Sequence, residues 1–239
     1  MKNLRILFVG IAITACMACA GGPAVVPGLG AVYGTVTAES HKALVEKAAK
    51  EETIYSEQGT IVYSKDMVNY PQLQELYVGL IGSDIPSGGE HFIEVRDSAM
   101  SVMSLALARG DTIRLRNNTL QTQNFYIVDA QEGIQLFPTL KPGQEAAVQV
   151  NGEGLLELLS EENERLITLL LSRSGMGVRQ VASGGSYAFE RLNPGNYNLI
   201  FWFWRLGWVE KKISVEAGKN IRVNQVLSVD KVLMSTNEP

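Results

Sequence analysis

Gly185-Ser186-Tyr187-Ala188-Phe189-Glu190-Arg191-Leu192-Asn193-Pro194-Gly195-Asn196-Tyr197-Asn198-Leu199 is the stretch that decides how this chain folds. A glycine turn precedes alternating large apolar residues, Pro194-Gly195 follows, and a second apolar run opens at Tyr197. Proline presets a negative φ and glycine permits a positive one, so the pair predicts a tight reversal between two strands. Tyr187, Phe189 and Leu192 are then expected to face Tyr197, Leu199 and Phe201.

Outward from that stretch, short apolar segments recur with turn signals between them, at 31–37, 59–64, 76–81, 91–95, 102–108, 111–116, 124–129, 146–150, 155–159, 166–172, 209–215 and 220–229. Several alternate with the period of two expected of a strand with one buried face, as in Thr112-Ile113-Arg114-Leu115-Arg116. The chain reads as mostly β. One helix is expected as an insertion near 40–52, where Ala43, Leu44, Ala48 and Ala49 fall at helical spacing and Ser40 caps the start. The leucines of 155–172 fit either a second helix or two strands around the polar loop Glu161-Glu162-Asn163-Glu164, and two strands are the preferred reading.

The 185–199 stretch resembles the Gly-x-Tyr/Phe-x-Phe-x-x-Leu-x-Pro-Gly-x-Tyr signature of the carboxypeptidase regulatory-like domain, a small β-sandwich that is not itself a peptidase. The residues of that signature are structural, so the resemblance implies a fold and no reaction. Upstream, Leu105-Ala106-Leu107-Ala108-Arg109-Gly110-Asp111, running on to Asn117, is followed by Gln123-Asn124-Phe125-Tyr126 and Gly154-Leu155-Leu156-Glu157-Leu158. These segments resemble the cupredoxin-like module fused to such a domain in periplasmic methylamine-utilisation-type proteins. The expected organisation is two β-sandwich modules: a cupredoxin-like one at 31–172 and a regulatory-like, Ig-like one at 173–230, with a tail at 231–239.

In copper-binding members of that family a His precedes the Asn-Phe/Val step, and a Cys, a His and often a Met occupy the loop after the Gly-x-x-Glu-Leu strand. The corresponding positions here are Gln123, Ser160, Asn163 and Leu166. Blue copper needs a thiolate and two imidazoles, donors that amide, hydroxyl and leucine do not supply. The resemblance therefore implies the scaffold and denies the cofactor.

The N-terminus speaks of location. Lys2 and Arg5 precede an apolar run that ends in Ile13-Thr14-Ala15-Cys16. The run is too short to span a bilayer, for which about 20 apolar residues are needed. It reads as a bacterial lipoprotein signal at 1–15, with the Cys16 thiol as the lipidated atom and the Gly/Pro-rich 16–30 as a tether. Met17 is not the aspartate associated with inner-membrane retention, so the resemblance to sorted lipoproteins implies the outer membrane. Loss of 1–15 would take the formal net charge from −4 to −6. An acidic chain has no electrostatic footprint for nucleic acid. Cys16 and Cys19 are the two cysteines, and His41 and His91 the two histidines, neither histidine beside a cysteine, the other histidine or a Gly-x-Ser-x-Gly motif. Satisfied or exposed histidines are the expected reading.

Phe201-Trp202-Phe203-Trp204, with Trp208, is the sharpest remaining candidate, since aromatics stack on sugars or anchor partners. Four consecutive aromatics must occupy both faces of a strand, however, and the preferred reading sends one face to the sandwich core and the other against the neighbouring module. Trp202, Trp204 and Trp208 are the candidate ligand- or partner-binding residues. Glu161, Glu162 and Glu164 lack an Asp-x-Asp-x-Asp-Gly calcium frame and read as a solvated turn. Nothing sets Glu157 and Glu161 across a cleft as a hydrolytic pair, and Arg205, Lys211 and Lys212 form at most a small basic rim.

The sequence thus predicts a lipid-anchored protein that is not an enzyme, holds no cofactor, and binds or scaffolds another envelope component, a protein or a glycan. Two alternatives belong to other classes: a periplasmic cupredoxin-type redox or metal-binding protein, and a carbohydrate-binding lipoprotein using its tryptophans.

Overall fold

The computed structural model describes residues 22–24, 26–40, 54–56, 59–61, 70–86, 88–97, 99–129 and 133–228. The expected lipidation at Cys16, His41, the tail at 231–239 and all of the expected helix beyond Ser40 lie outside the described residues. The described chain is β almost throughout, with one 3₁₀ turn at Tyr70–Gln72. No helix among the described residues is long and apolar enough to cross a membrane.

The strands in chain order are β1 (Gly30–Ala38), β2 (Ile54–Ser56), β3 (Gly59–Ile61), β4 (Leu76–Ile81), β5 (Glu90–Arg96), β6 (Ala99–Met100) and β7 (Ser104–Ala108). Next come β8 (Thr112–Asn117), β9 (Phe125–Asp129), β10 (Gly133–Leu136), β11 (Glu145–Gln149), β12 (Gly154–Ser160) and β13 (Ile167–Arg173). The chain ends through β14 (Met176–Val181), β15 (Gly185–Leu192), β16 (Gly195–Phe203), β17 (Gly207–Val215), β18 (Asn220–Arg222) and β19 (Gln225–Leu227). The leucines of 155–172 form β12 and β13, an antiparallel pair, as the two-strand reading expected.

Four sheets stack into two sandwiches. In the first, the sheet β11-β8-β5-β6 faces the sheet β10-β9-β12-β13-β7 across a core that includes Ile93, Leu115, Phe125, Leu156 and Leu170. In the second, the sheet β15-β1 with β18 and β19 faces β14-β4-β16-β17 across Val32, Val78, Phe189, Leu199 and Phe201. A third apolar seam joins the two sandwiches. Ala106, Ala108 and Leu171 from the first meet Tyr77, Met176, Ile200 and Trp202 from the second. Period-two alternation is what allows this, because a strand with apolar residues on both faces serves two seams at once.

The modules are nested, which corrects the expected boundaries of 31–172 and 173–230. β1 pairs antiparallel with β15 and parallel with β18 and β19, and β4 lies between β14 and β16, so both strands belong to the second sandwich. The first sandwich is an insertion between the adjacent ends of β4 and β14. Ile81 pairs with Met176 there, and the Gly82 amide donates to the Gly175 carbonyl at 3.0 Å. A local apolar pattern says that β1 and β4 are buried strands but cannot name their partners, since pairing is set by register over long sequence distances.

One turn and one strand glycine position these elements. The Pro194-Gly195 reversal carries the chain from β15 in one sheet to β16 in the facing sheet, and Tyr187 meets Phe201 across the core with ring centroids 5.7 Å apart. The residue that takes a positive φ is Arg191, at 57°, rather than Gly195. Gly34 answers a different need: a Cβ there would lie 1.8 Å from the Val223 carbonyl oxygen, so β1 approaches its parallel neighbours only through a residue with no side chain.

Candidate functional site

Of the four positions matched to copper ligands, Gln123 before β9 and Ser160 at the end of β12 meet through their side chains, and Asn163 and Leu166 lie in the loop that follows β12. Gln123 is held by two backbone bonds with Leu140, and its side-chain oxygen accepts a bond from the Ser160 hydroxyl at 2.7 Å. The Ser160 oxygen in turn accepts the amides of Glu162 and Asn163 at 3.2 and 3.3 Å. The Leu166 amide donates to the Asn163 carbonyl and the Ser160 amide to the Leu166 carbonyl, which closes the 160–166 loop into a compact turn. Leu166 itself is fully buried in the first core.

The donor chemistry of this cluster does not fit copper of the blue type. An amide oxygen and a hydroxyl spend themselves on each other, the Asn163 side chain turns to the Asp97 carbonyl and the Arg165 amide, and an aliphatic group stands at the fourth position. Burying such groups is favourable only because each has a partner. Among the described residues no set of three or more His, Cys, Asp or Glu is grouped to hold a metal ion.

Glu162, read from the sequence as part of a solvated turn, is the residue that locks the cluster. Its two carboxylate oxygens accept the Asn124 amide at 2.8 Å and the Asn124 side-chain nitrogen at 2.6 Å, while the Thr139 hydroxyl donates to the Asn124 side-chain oxygen at 2.7 Å. Charge-assisted bonds of this kind are stronger than neutral ones. The Asn124-Glu162 pairing spans two distant segments, so no local signal announces it.

Asp111 is a second built group that the sequence did not single out. It is buried, one carboxylate oxygen accepts the amides of Gly88 and Gly89, and the other accepts the Ala108 amide and lies 3.0 Å from His91 Nε2. Burial pushes this carboxyl up, but the bonds from His91, Ala108, Gly88 and Gly89 outweigh it and hold it below the ordinary carboxylate range. His91 is thereby satisfied and tied to structure. The Asp in Gly110-Asp111, at the turn before β8, is the signal that was available.

The aromatic run divides as strand geometry requires. Phe201 and Phe203 enter the second core, whereas Trp202 enters the seam beside Tyr77. Trp202 is 1 % exposed, which corrects its place among the candidate ligand-binding residues: the inserted sandwich covers it. Trp204 is half-buried and carries the Arg205 guanidinium 4.6 Å from its ring centroid, so Arg205 is engaged within the protein. Trp208 pairs with Trp202 across β16 and β17 and is the exposed member, at the rim of the seam.

Among the described residues, one sheet face of the first sandwich exposes several large apolar side chains. In the first sandwich the outward positions of β11-β8-β5 carry Glu90, Arg114 and Glu145, with Arg114 bonded to both carboxylates at 2.7 Å. The other sheet is different. Its register sets Leu136, Tyr126, Leu159 and Ile167 in one outward row, Ile134, Val128, Glu157 and Leu169 in the next, and Leu155 with Leu171 in a third. The β13-β7 side of this face lies under the second sandwich through Leu169, Leu171 and Ala106. The β10-β9-β12 side is open, with Leu136 72 %, Ile134 65 % and Leu155 48 % exposed. Contiguous apolar area of this sort marks contact sites.

No protein-family model matches the chain, and no curated protein does. Solved structures similar to it are cupredoxins. A purple cupredoxin from Nitrosopumilus maritimus is 15 % identical over 34 % of this chain and 97 % of its own, with a TM-score of 0.30. Auracyanin A from Chloroflexus aurantiacus is 16 % identical over 35 % of this chain and 99 % of its own, TM-score 0.30. An amicyanin mutant is 14 % identical over 39 % of this chain and 90 % of its own, TM-score 0.31.

Proposed function

We propose that this chain is a non-catalytic envelope lipoprotein, held at the outer membrane through lipid on Cys16, whose two sandwiches serve as a binding or scaffolding body for another envelope component. One observation carries the reading: an outward sheet face that is apolar on both sides of a line, covered on one side and open on the other. The closed Gln123-Ser160 cluster supports it, because its polar atoms are spent on one another. The lipobox at Ile13-Thr14-Ala15-Cys16 supports the location.

The test is recovery of partners from envelope membranes with the intact lipoprotein and with an Ile134→Lys, Leu136→Lys variant. Specific partners that the variant loses would support the reading. Tight stoichiometric copper binding at neutral pH, seen as a visible absorption band, would favour the redox alternative and overturn it. The exposed ring of Trp208 favours a second reading, glycan binding, for which loss of glycan-array signal in Trp208→Ala with the fold kept is the test.

A further inference from the structure

We infer that the open part of the apolar sheet face is covered by a second copy of this chain, joined through antiparallel pairing of β10 with its counterpart. This rests on the reading of that face as a contact site and narrows it: the occupant at the β10 edge is a second copy, and another envelope component is left to the rest of the body. β10 is the edge strand of its sheet, and its outer side pairs with no strand among the described residues. Soluble proteins guard such edges with charge, proline or a covering element. Gly133-Ile134-Gln135-Leu136 has neither charge nor proline.

The register favours self-pairing. Gln135 points toward the edge of the facing sheet, where its side-chain nitrogen donates to the Gln149 carbonyl at 2.6 Å, and this anchors β10 with Ile134 and Leu136 outward. A twofold axis at Gln135 sets Ile134 of one copy beside Leu136 of the other, on the same face, and the reverse, as an isologous contact requires. The outward rows then run unbroken through Tyr126 and Val128 of both copies, continuing the seam that the second sandwich already covers. The one charge in these rows, Glu157, does not oppose it. Five strand spacings separate the two Glu157 side chains, about 24 Å at about 4.8 Å each, well beyond the Debye length of about 8 Å.

The experiment places the photocrosslinker benzoylphenylalanine at position 136 of the full chain, irradiates intact cells, and identifies adducts by mass spectrometry. The expected product contains two copies of this chain and nothing else, is lost when Ile134→Lys is added, and is missing when the crosslinker replaces exposed Ala147 on the opposite sheet. A cooperative thermal transition and an unaltered β-type circular dichroism spectrum of the Ile134→Lys protein confirm that the fold is kept and the loss is one of contact. An adduct with a different protein overturns self-association and leaves the contact reading standing. No adduct at all overturns both.

Discussion

The rings of Tyr77 and Trp202 lie 5.6 Å apart, centroid to centroid, on neighbouring strands of one sheet, and both turn toward the other sandwich rather than their own core. The Tyr77 hydroxyl donates to the Ser104 carbonyl at 2.7 Å, so the aromatic pair is tied to the inserted sandwich by a buried bond as well as by packing. The seam is therefore part of the stability of both modules. Truncating a fully buried tryptophan removes its transfer energy and leaves a cavity. Trp202→Ala is expected to cost about 3–5 kcal/mol in urea unfolding. Trp208→Ala, at the exposed rim, is expected to cost under about 1 kcal/mol. Equal losses would contradict the division of the aromatic run between seam and surface.

Nesting makes a fragment prediction. Residues 173–230 lack β1 and β4, the strands that sit inside the two sheets of the second sandwich. Alone they leave unpaired edges on both sides of each gap, and they are expected to show no cooperative unfolding transition. A chain in which a short turn replaces 83–174 keeps the β4-β14 pair, whose ends already meet at Gly82 and Gly175, and is expected to fold with a β-type circular dichroism spectrum. Cooperative unfolding of 173–230 by itself would sink the nested arrangement.

Much of this was legible in the sequence, and the limits have a physical cause. The β12-β13 pair and the both-faced aromatic strand followed from alternation, a local property, whereas Gln123 and Ser160 were set at related positions only by what the cupredoxin-like resemblance implies. β10 and β14 gave no signal, since Gly133-Ile134-Gln135-Leu136 is short and Met176-Gly177-Val178-Arg179-Gln180-Val181 mixes glycine and charge into its alternation. What could not be read was partnership. The homes of β1 and β4, the Glu162 lock on Asn124 and the bonds to Asp111 from Gly88, Gly89 and His91 depend on residues 20 or more positions away.

Asp111 sets an acid limit on stability. Its folded carboxyl lies below the ordinary range, so the ionised form is stabilised by folding, and that contribution is present above the unfolded value near 3.8 and is lost as pH falls through the folded one. Asp111→Ala strands the amides of Gly88, Gly89 and Ala108 and is expected to cost about 2–4 kcal/mol at pH 7, as bonds to a charged group do. The difference from the parent should shrink as pH drops below the carboxylate range. A gap that stays constant down to pH 2 would remove the carboxylate from the account.

Gly34→Ala tests the close approach of β1. The added methyl would lie 1.8 Å from the Val223 carbonyl oxygen, a backbone atom that side-chain rotation cannot move, so β1 must separate from the strands β18 and β19 that pair beside it. Overpacking of this kind costs about 1–3 kcal/mol, more where backbone pairing is lost. The measurement is the urea midpoint, with Gly88→Ala as a comparison in open space at a loop. Gly88 takes a φ of 105°, so its own loss reports backbone strain alone, and Gly34→Ala is expected to exceed it.

The polar cluster allows a gain-of-chemistry test. Gln123 and Ser160 already touch through their side chains, and the 160–166 turn brings the backbone of Asn163 and Leu166 against Ser160. Gln123→His, Ser160→Cys, Asn163→His and Leu166→Met together supply two imidazoles, a thiolate and a thioether at positions that the turn holds close, with Glu162 and Asn124 fixing the loop from outside. The expected outcome is a coloured copper complex with a thiolate charge-transfer band in the visible. Ser160→Cys alone should not show it, because one soft donor does not make the trigonal set. If the four-fold variant folds and stays colourless with copper, the cluster lacks the geometry of a ligand cage and shares no more than its place in the sandwich.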